Sequence, residues 1–128
     1  MKIEHIAMWV KDLERMKEFY IKFFECTSND KYYNPKKNFT SYFLSFKSGA
    51  RLELMHRPDI EEVFYKSNII LGLTHLAISV GSREKVNQLT AKIKENGYKI
   101  IGEPRVTGDG YYESVISDPE GNLIEITE

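Results

Sequence analysis

Two short stretches of the sequence decide the fold: EHIAMWV at residues 4–10 and THLAISV at residues 74–80. Each is an apolar, strand-like segment with one histidine in its second position, and the two histidines, His5 and His75, stand 70 positions apart. A strand has no structural need for that histidine, so its recurrence indicates an internal repeat. The rest of the chain is interpreted from this repeat.

A helix is predicted after each of these strands. Apolar residues recur there at helical spacing: Leu13, Met16, Tyr20 and Phe23 in the first copy, and Val86, Leu89 and Ile93 in the second. Asp12 and Ser82 stand where N-cap residues belong, and Asn96-Gly97 is a typical stop signal. The repeat therefore contains a strand followed by an amphipathic helix.

Each half then ends in a pair of strands, SYFLSF with ARLELMH in the first half and YYESVIS with LIEITE in the second. The turn Asp118-Pro119-Glu120-Gly121 has the residues of a type I turn. One further strand fits between helix and hairpin in each half, near residues 27–33 and 99–104. The prediction is an α+β fold of β-α-β-β-β written twice.

The predicted organisation is a single domain over residues 1–128. Its first module covers 1–57 and its second 73–128, and the connector at 58–72 includes a helical turn at IEEVFYK. With 18 Lys and Arg against 19 Asp and Glu, the chain lacks the basic excess of a nucleic-acid binder. One cysteine excludes an internal disulfide and favours a reducing, cytoplasmic location. No apolar run reaches the roughly 20 residues of a membrane span.

Strand alternation isolates four polar residues. The residues that face the helices are apolar: Ile6, Met8, Val10, Leu52 and Leu54 in the first half, and Leu76, Ile78, Val80, Ile124 and Ile126 in the second. The opposite face of each half then carries one histidine and one glutamate, His5 with Glu53 and His75 with Glu125. The spacings within the two pairs are 48 and 50 positions, and an even difference keeps the glutamate on the same face.

A lone strand histidine is usually only a tolerated polar residue, and a lone glutamate between leucines usually points to water. Two such pairs in equivalent positions of a repeat instead favour a divalent-metal site built from imidazoles and carboxylates. The third histidine, His56, is interpreted as a strand-end residue, and Cys26 as an inert packing residue.

With these features the sequence resembles the vicinal oxygen chelate superfamily, which includes glyoxalase I, fosfomycin and bleomycin resistance proteins and extradiol dioxygenases. The resemblance covers the whole chain and is most specific in EHIAMWVKDLERMKEFY, LTHLAISV and DPEGNLIEI. It implies paired βαβββ modules whose sheets curl into a metal-binding cup. It also implies that the metal ligands are His5, Glu53, His75 and Glu125.

A four-ligand set resembles glyoxalase I most, since fosfomycin transferases and extradiol dioxygenases use two histidines and one glutamate. The resemblance implies a lyase or isomerase acting on a small α-oxo or hydroxy-carbonyl compound, or on a thiol adduct of one. It implies one divalent ion per site (Zn, Ni, Co, Mn or Fe), with Glu125 as the base and Glu53 as its partner. The alternatives are a fosfomycin-type thiol transferase and a non-enzymatic small-molecule binding protein.

Glyoxalase I recognises glutathione partly through an arginine just after the first helix. Here that stretch is ECTSNDKYYNPKKN, which contains lysines but no arginine, so the resemblance leaves open whether the thiol is glutathione or another. The predicted substrate-binding residues are Arg51, Trp9, Tyr112 and Arg105. The predicted partners are a small-molecule substrate and a second copy of the chain in a homodimer, whose contact would cover apolar residues such as Trp9 and Phe43.

Overall fold

The computed structural model describes residues 1–62, 69 and 71–128. The chain divides into two compact units, Met1–Val63 and Phe64–Glu128, and each unit contains one βαβββ module. The helical turn expected at residues 60–66 falls largely outside the described residues.

The described part contains two helices and nine strands: β1 His5–Trp9, α1 Leu13–Phe24, β2 Thr27–Ser28, β3 Tyr32–Asn34, β4 Phe39–Ser45, β5 Arg51–His56, β6 His75–Ser79, α2 Arg83–Glu95, β7 Ile100–Val106, β8 Tyr112–Ser117 and β9 Leu123–Thr127. The predicted α+β class is confirmed.

The first module forms a sheet with the order β1-β5-β4-β2, and β3 also pairs with β4. β1 is parallel to β5, while β4 and β5 are antiparallel and form a hairpin. Parallel neighbours need a long crossover connection, and α1 lies within it. Leu44 and Leu54 are completely buried together with Met16 and Tyr20 of α1, so one face of this sheet is the core face.

The extra strand expected near residues 27–33 is two short strands instead of one. β2 and β3 both pair with β4, and the residues between them leave the ladder. Asn29 accounts for this interruption: its backbone N–H donates to the Phe43 carbonyl (3.2 Å), and its side-chain Oδ1 accepts from the Phe43 N–H (2.7 Å). Because an asparagine side chain takes the place of a backbone acceptor, the strand is broken at this point.

The second module repeats the arrangement with the order β6-β9-β8-β7, and β6 is again parallel to β9. Here the extra strand is continuous, as β7, although its register against β8 shifts twice. The core of this module consists of fully buried side chains from α2, β8 and β9: Val86, Ile93, Ile116, Ile124 and Ile126.

The predicted end signals of the helices are confirmed. Asp12 accepts the Arg15 N–H at 3.0 Å, and Ser82 accepts the Lys85 N–H at 3.3 Å. Helix α2 stops at Asn96, followed by Gly97 at φ +81°, a left-handed conformation that favours glycine. In the described residues no helix is long and apolar enough to cross a membrane.

The hairpin turn between β8 and β9 is also confirmed. The Gly121 N–H donates to the Asp118 carbonyl at 3.2 Å, which is the bond that closes a four-residue turn. The Asp118 carboxylate accepts further bonds from the backbone of Glu120 and Asn122. This turn fixes the register of β9 and therefore the face to which Glu125 points.

Candidate functional site

In the first module, His5 and Glu53 meet on the sheet face opposite α1. Glu53 is in register with Ala7 of β1, so His5 is its diagonal neighbour, and the small Ala7 side chain leaves the space between them open. The distance from His5 Nε2 to Glu53 Oε2 is 3.8 Å. The Glu53 side chain is only 13% exposed, whereas that of His5 is 40% exposed.

The second module repeats this pair with the same register. Glu125 is in register with Ala77 of β6, and His75 is again the diagonal neighbour. His75 Nε2 lies 3.2 Å from Glu125 Oε2, with side chains 38% and 22% exposed. The structure thus brings the residues of each predicted pair together within its own module.

The donor atoms of each pair fit two ligands of one metal ion. Nitrogen and oxygen donors at about 2.0–2.2 Å from zinc stand about 3.0 Å apart at a right angle and about 3.4 Å apart at a tetrahedral angle. The observed 3.2 Å in the second module lies between these values, and the 3.8 Å in the first module is about 0.4 Å longer than the tetrahedral value. Across residues 1–62, 69 and 71–128, no group of three or more His, Cys, Asp or Glu is arranged to hold a metal ion, so each pair by itself supplies two ligands.

Glu4 contributes to the first histidine–glutamate pair by holding His5, and the sequence pattern did not single it out. Its Oε2 accepts a hydrogen bond from His5 Nδ1 at 2.5 Å, and its other oxygen pairs with Arg51. The hydrogen bond from His5, aided by Arg51, lowers the pKa of the Glu4 carboxyl group. A carboxylate on Nδ1 places the ring proton there and leaves Nε2 free as a ligand atom. An acidic residue directly before the histidine was the available signal.

The equivalent position of the second module is Thr74, and in the described part of the chain no group accepts a hydrogen bond from His75 Nδ1. The two histidines are therefore held differently, although their distances to the paired glutamates are similar.

Phe43 completes the surroundings of the first pair. It lies on β4, the neighbour of β5 on the side away from β1, and is in register with Glu53. Its ring lies edge-on to His5, with centroids 5.3 Å apart, and the Arg51 guanidinium stacks over it at 4.1 Å. Arg51 thus lies on the same face as His5 and Glu53, as alternation predicted, but its charge is paired with Glu4.

The remaining predicted substrate-binding residues lie in different places. Trp9 is on the His5 face at the other end of β1, and its side chain is about half exposed. Arg105 belongs to β7 and lies on the same sheet face as Glu125. Its Nη2 is 3.6 Å from Oε1 of the buried Glu113. Tyr112 lies on the helix side of its sheet, where its hydroxyl donates to Asn87 Oδ1 of α2 at 2.8 Å. Tyr112 therefore faces away from Glu125.

The other histidine and the cysteine have structural roles. His56 Nδ1 donates to the Val10 carbonyl at 2.9 Å, which ties the ends of β1 and β5 together. Cys26 is buried, and burial raises the pKa of its thiol to about 11, so it stays protonated at neutral pH.

With this geometry established, comparison with known families is decisive. Residues 2–126 match the family model described as the Glyoxalase/Bleomycin resistance protein/Dioxygenase superfamily. The chain belongs to this superfamily.

The relatives of this glyoxalase-superfamily chain include a Bacillus subtilis protein, YqjT, itself described as uncharacterized. It is 26% identical over 97% of this chain and 96% of its own length. Glyoxalase I from Zea mays matches with a TM-score of 0.80 at 25% identity over 98% of this chain, which spans only 44% of the maize protein. Leishmania major glyoxalase I, described as trypanothione-dependent, matches with a TM-score of 0.79 at 24% identity. The match covers 100% of this chain and 86% of that protein. At this identity the likeness supports the fold alone.

Proposed function

We propose that this chain is a divalent-metal lyase or isomerase of the glyoxalase I type, in which His5, Glu53, His75 and Glu125 hold the metal. The observation that carries the proposal is the same in both modules. A histidine Nε2 and a glutamate oxygen approach to 3.8 and 3.2 Å on the sheet face away from the helix. Membership of a superfamily that contains glyoxalase I supports this choice over a purely structural role for the four residues.

The substrate class is a small α-oxo or hydroxy-carbonyl compound, or a thiol adduct of one. When bound, the ion supplies electrostatic polarisation of the substrate's neighbouring oxygens, which acidifies the adjacent C–H bond. The Glu125 carboxylate takes the proton from that carbon and returns it to the neighbouring carbon. Substrate and product are then isomers, so no oxidant or co-reactant is consumed.

The four residues differ in the roles we assign. His5 and His75 are ligands only, and the hydrogen bond from His5 Nδ1 to Glu4 orients the first of them. Glu125 is the base, and Glu53 is its partner ligand. A glutamate is suited to both tasks because its flexible side chain can leave a ligand position and accept a proton.

The test is turnover of methylglyoxal with a panel of thiols, in the presence of Zn, Ni, Co, Mn or Fe. The Glu125→Gln variant keeps the shape and a coordinating oxygen but cannot accept a proton at neutral pH. We expect its rate to fall on the order of 10²- to 10⁴-fold at equal metal occupancy. The matched control is Glu103→Gln in the same module, because Glu103 forms only an exposed ion pair with Lys94.

Metal content separates this mechanism from the alternatives. The His5→Ala, His75→Ala double variant should lose bound metal, measured by elemental analysis after dialysis. Undiminished metal in that variant would remove the ligand assignment. Equal rates for wild type and Glu125→Gln at equal occupancy would make Glu53 the base. Under thiol transfer, excess metal should restore the variant's activity, and a pure binding protein would show no turnover to lose.

A further inference from the structure

The first module has a cavity of about 300 Å³ that the proposed metal site does not use. Its lining combines aromatic rings with basic side chains: Trp9, Tyr32, Asn34, Lys37, Phe39 and Arg57. All six residues belong to the unit Met1–Val63.

The strand register places this cavity on the same face as His5 and Glu53. Trp9 follows His5 by four positions on β1, and strand residues an even number apart share a face. Trp9 is in register with Met55, two positions beyond Glu53, so the cavity begins about 7 Å further along the sheet. Tyr32 and Asn34 enter from β3, which closes the other side.

The walls of the cavity include three aromatic rings, and the Phe39 ring is in contact with each of the other two. Trp9 and Phe39 have centroids 6.1 Å apart at 88°, and Tyr32 and Phe39 have centroids 6.0 Å apart at 62°. Trp9 and Tyr32 are nevertheless 49% and 51% exposed. Large ring surfaces that converge yet remain open to water favour a planar apolar ligand between them.

The charge of the cavity is positive. Arg57 is already paired, since its Nε and Nη2 donate to Asp59 at 2.8 and 2.6 Å. The Lys37 ammonium has no carboxylate partner in the described part of the chain. The backbone of this turn is held by Asn34, whose Oδ1 accepts the backbone N–H groups of Lys36 and Lys37. An anion that enters the cavity can therefore pair with the Lys37 ammonium without breaking an existing ion pair.

We propose that this cavity binds a planar aromatic anion, such as an aromatic carboxylate, with its ring among Trp9, Tyr32 and Phe39 and its charge beside Lys37. This binding proposal rests on the proposed function. It gives the substrate an aromatic, negatively charged group on the side away from the reacting carbons. Binding itself requires only the first module's own residues and not the metal ligands.

Trp9 is the only tryptophan of the chain, so its fluorescence reports directly on this cavity. The experiment titrates chelator-treated full-length protein with 4-nitrobenzoate and, separately, with the neutral 4-nitrobenzamide, correcting for absorption with free tryptophan. We expect saturable quenching by both, with the tighter affinity for 4-nitrobenzoate. Cyclohexanecarboxylate, an anion without an aromatic ring, should not compete.

Two pairs of variants sharpen the test. Lys37→Gln should weaken 4-nitrobenzoate about two- to fivefold and leave 4-nitrobenzamide unchanged, whereas Lys36→Gln in the same turn should change neither. Tyr32→Leu should weaken both probes about two- to tenfold, whereas Tyr33→Leu, on the opposite face of β3, should not. Circular dichroism of each variant verifies folding.

Equal affinity for the two probes, or equal effects of Lys37→Gln and Lys36→Gln, would overturn the proposal. Since the protein carries no metal in this experiment, a failure here leaves the proposed reaction untouched. Conversely, quenching with the expected pattern in a protein that shows no turnover would support the cavity while contradicting the reaction.

Discussion

At the scale of single residues, Glu14 shows how local charge sets a pKa. Its carboxylate accepts hydrogen bonds from Lys17 Nζ at 2.6 Å, Lys31 Nζ at 2.8 Å and the Tyr42 hydroxyl at 3.0 Å. The bond from Lys17, followed by that from Lys31, lowers the pKa of Glu14 from 4.5 to about 2. Lys31 is therefore occupied within the first module and is not a free anion-binding group.

This shift predicts a pH dependence of stability. A carboxyl group whose pKa is lower in the folded state stabilises the protein above its unfolded pKa, and this contribution is lost as the pH falls through the folded pKa. Glu14 is 47% exposed, so solvent screening limits the contribution to less than about 1 kcal/mol. We expect Glu14→Gln to be less stable than wild type near neutral pH, with the difference vanishing between pH 4.5 and about 2.

The measurement is urea unfolding across this pH range. Glu18→Gln is the matched control, because Glu18 is an exposed residue of the same helix without an ion pair in the described residues. If the difference in unfolding free energy between wild type and Glu14→Gln does not change with pH, the three hydrogen bonds to Glu14 do not form as described.

At the scale of elements, a single buried polar contact joins α2 to its sheet. Thr90 Oγ1 lies 2.6 Å from Ser114 Oγ and donates to the Val86 carbonyl at 2.6 Å, and both side chains are buried. In the first module the equivalent helix packs through Phe19, Tyr20 and Phe23, which are all buried. The two copies of the repeat thus hold their helices by different chemistry.

This contact predicts a non-additive pair of substitutions. Thr90→Val leaves the buried Ser114 hydroxyl without its partner and should cost about 1–3 kcal/mol of unfolding free energy. Adding Ser114→Ala removes the orphaned group and should recover much of that loss. Urea unfolding of the two single variants and the double variant measures the coupling. Additive losses would mean that the hydroxyl–hydroxyl contact contributes nothing.

At the scale of the whole molecule, we predict a homodimer, a state common in this superfamily. Within the described residues, β1 and β6 each stand first in the strand order of their own sheet, and terminal strands of sheets are common sites of association between chains. Ile3 and Leu73, each two residues before the histidine of its strand, are 67% and 80% exposed. Stable dimer interfaces of this kind bury about 2,000 Å² or more, which would cover such residues.

Light scattering at micromolar concentration should therefore give twice the mass of 14.9 kDa. The Ile3→Lys, Leu73→Lys double variant should shift the population towards monomer, while Lys2→Gln, an exposed neighbour, should not. A wild-type mass of one chain would contradict the prediction.

The sequence by itself determined the elements and the faces of their strands. Alternation and helical spacing are local properties, and the caps at Asp12 and Ser82 act within one turn, so both could be recognised without knowing the fold. The same local logic assigned the faces of His5, Glu53, His75 and Glu125, because alternation with apolar neighbours is a property of each strand by itself. Repetition then separated these four residues from tolerated polar positions.

Only the tertiary structure decided which side chains become neighbours across strands. The break between β2 and β3 depends on an Asn29 side chain that reaches Phe43 of another strand. The aromatic cavity exists because pairing through β5 and β4 sets Trp9 of β1 and Tyr32 of β3 in one row across the sheet, although the two residues are distant in sequence. Tyr112 shares the helix side with Ser114 and Ile116 of its own strand, but its hydroxyl's partner, Asn87, comes from the packing of α2. Each of these outcomes depends on strand order and register, which a residue pattern along one strand does not encode.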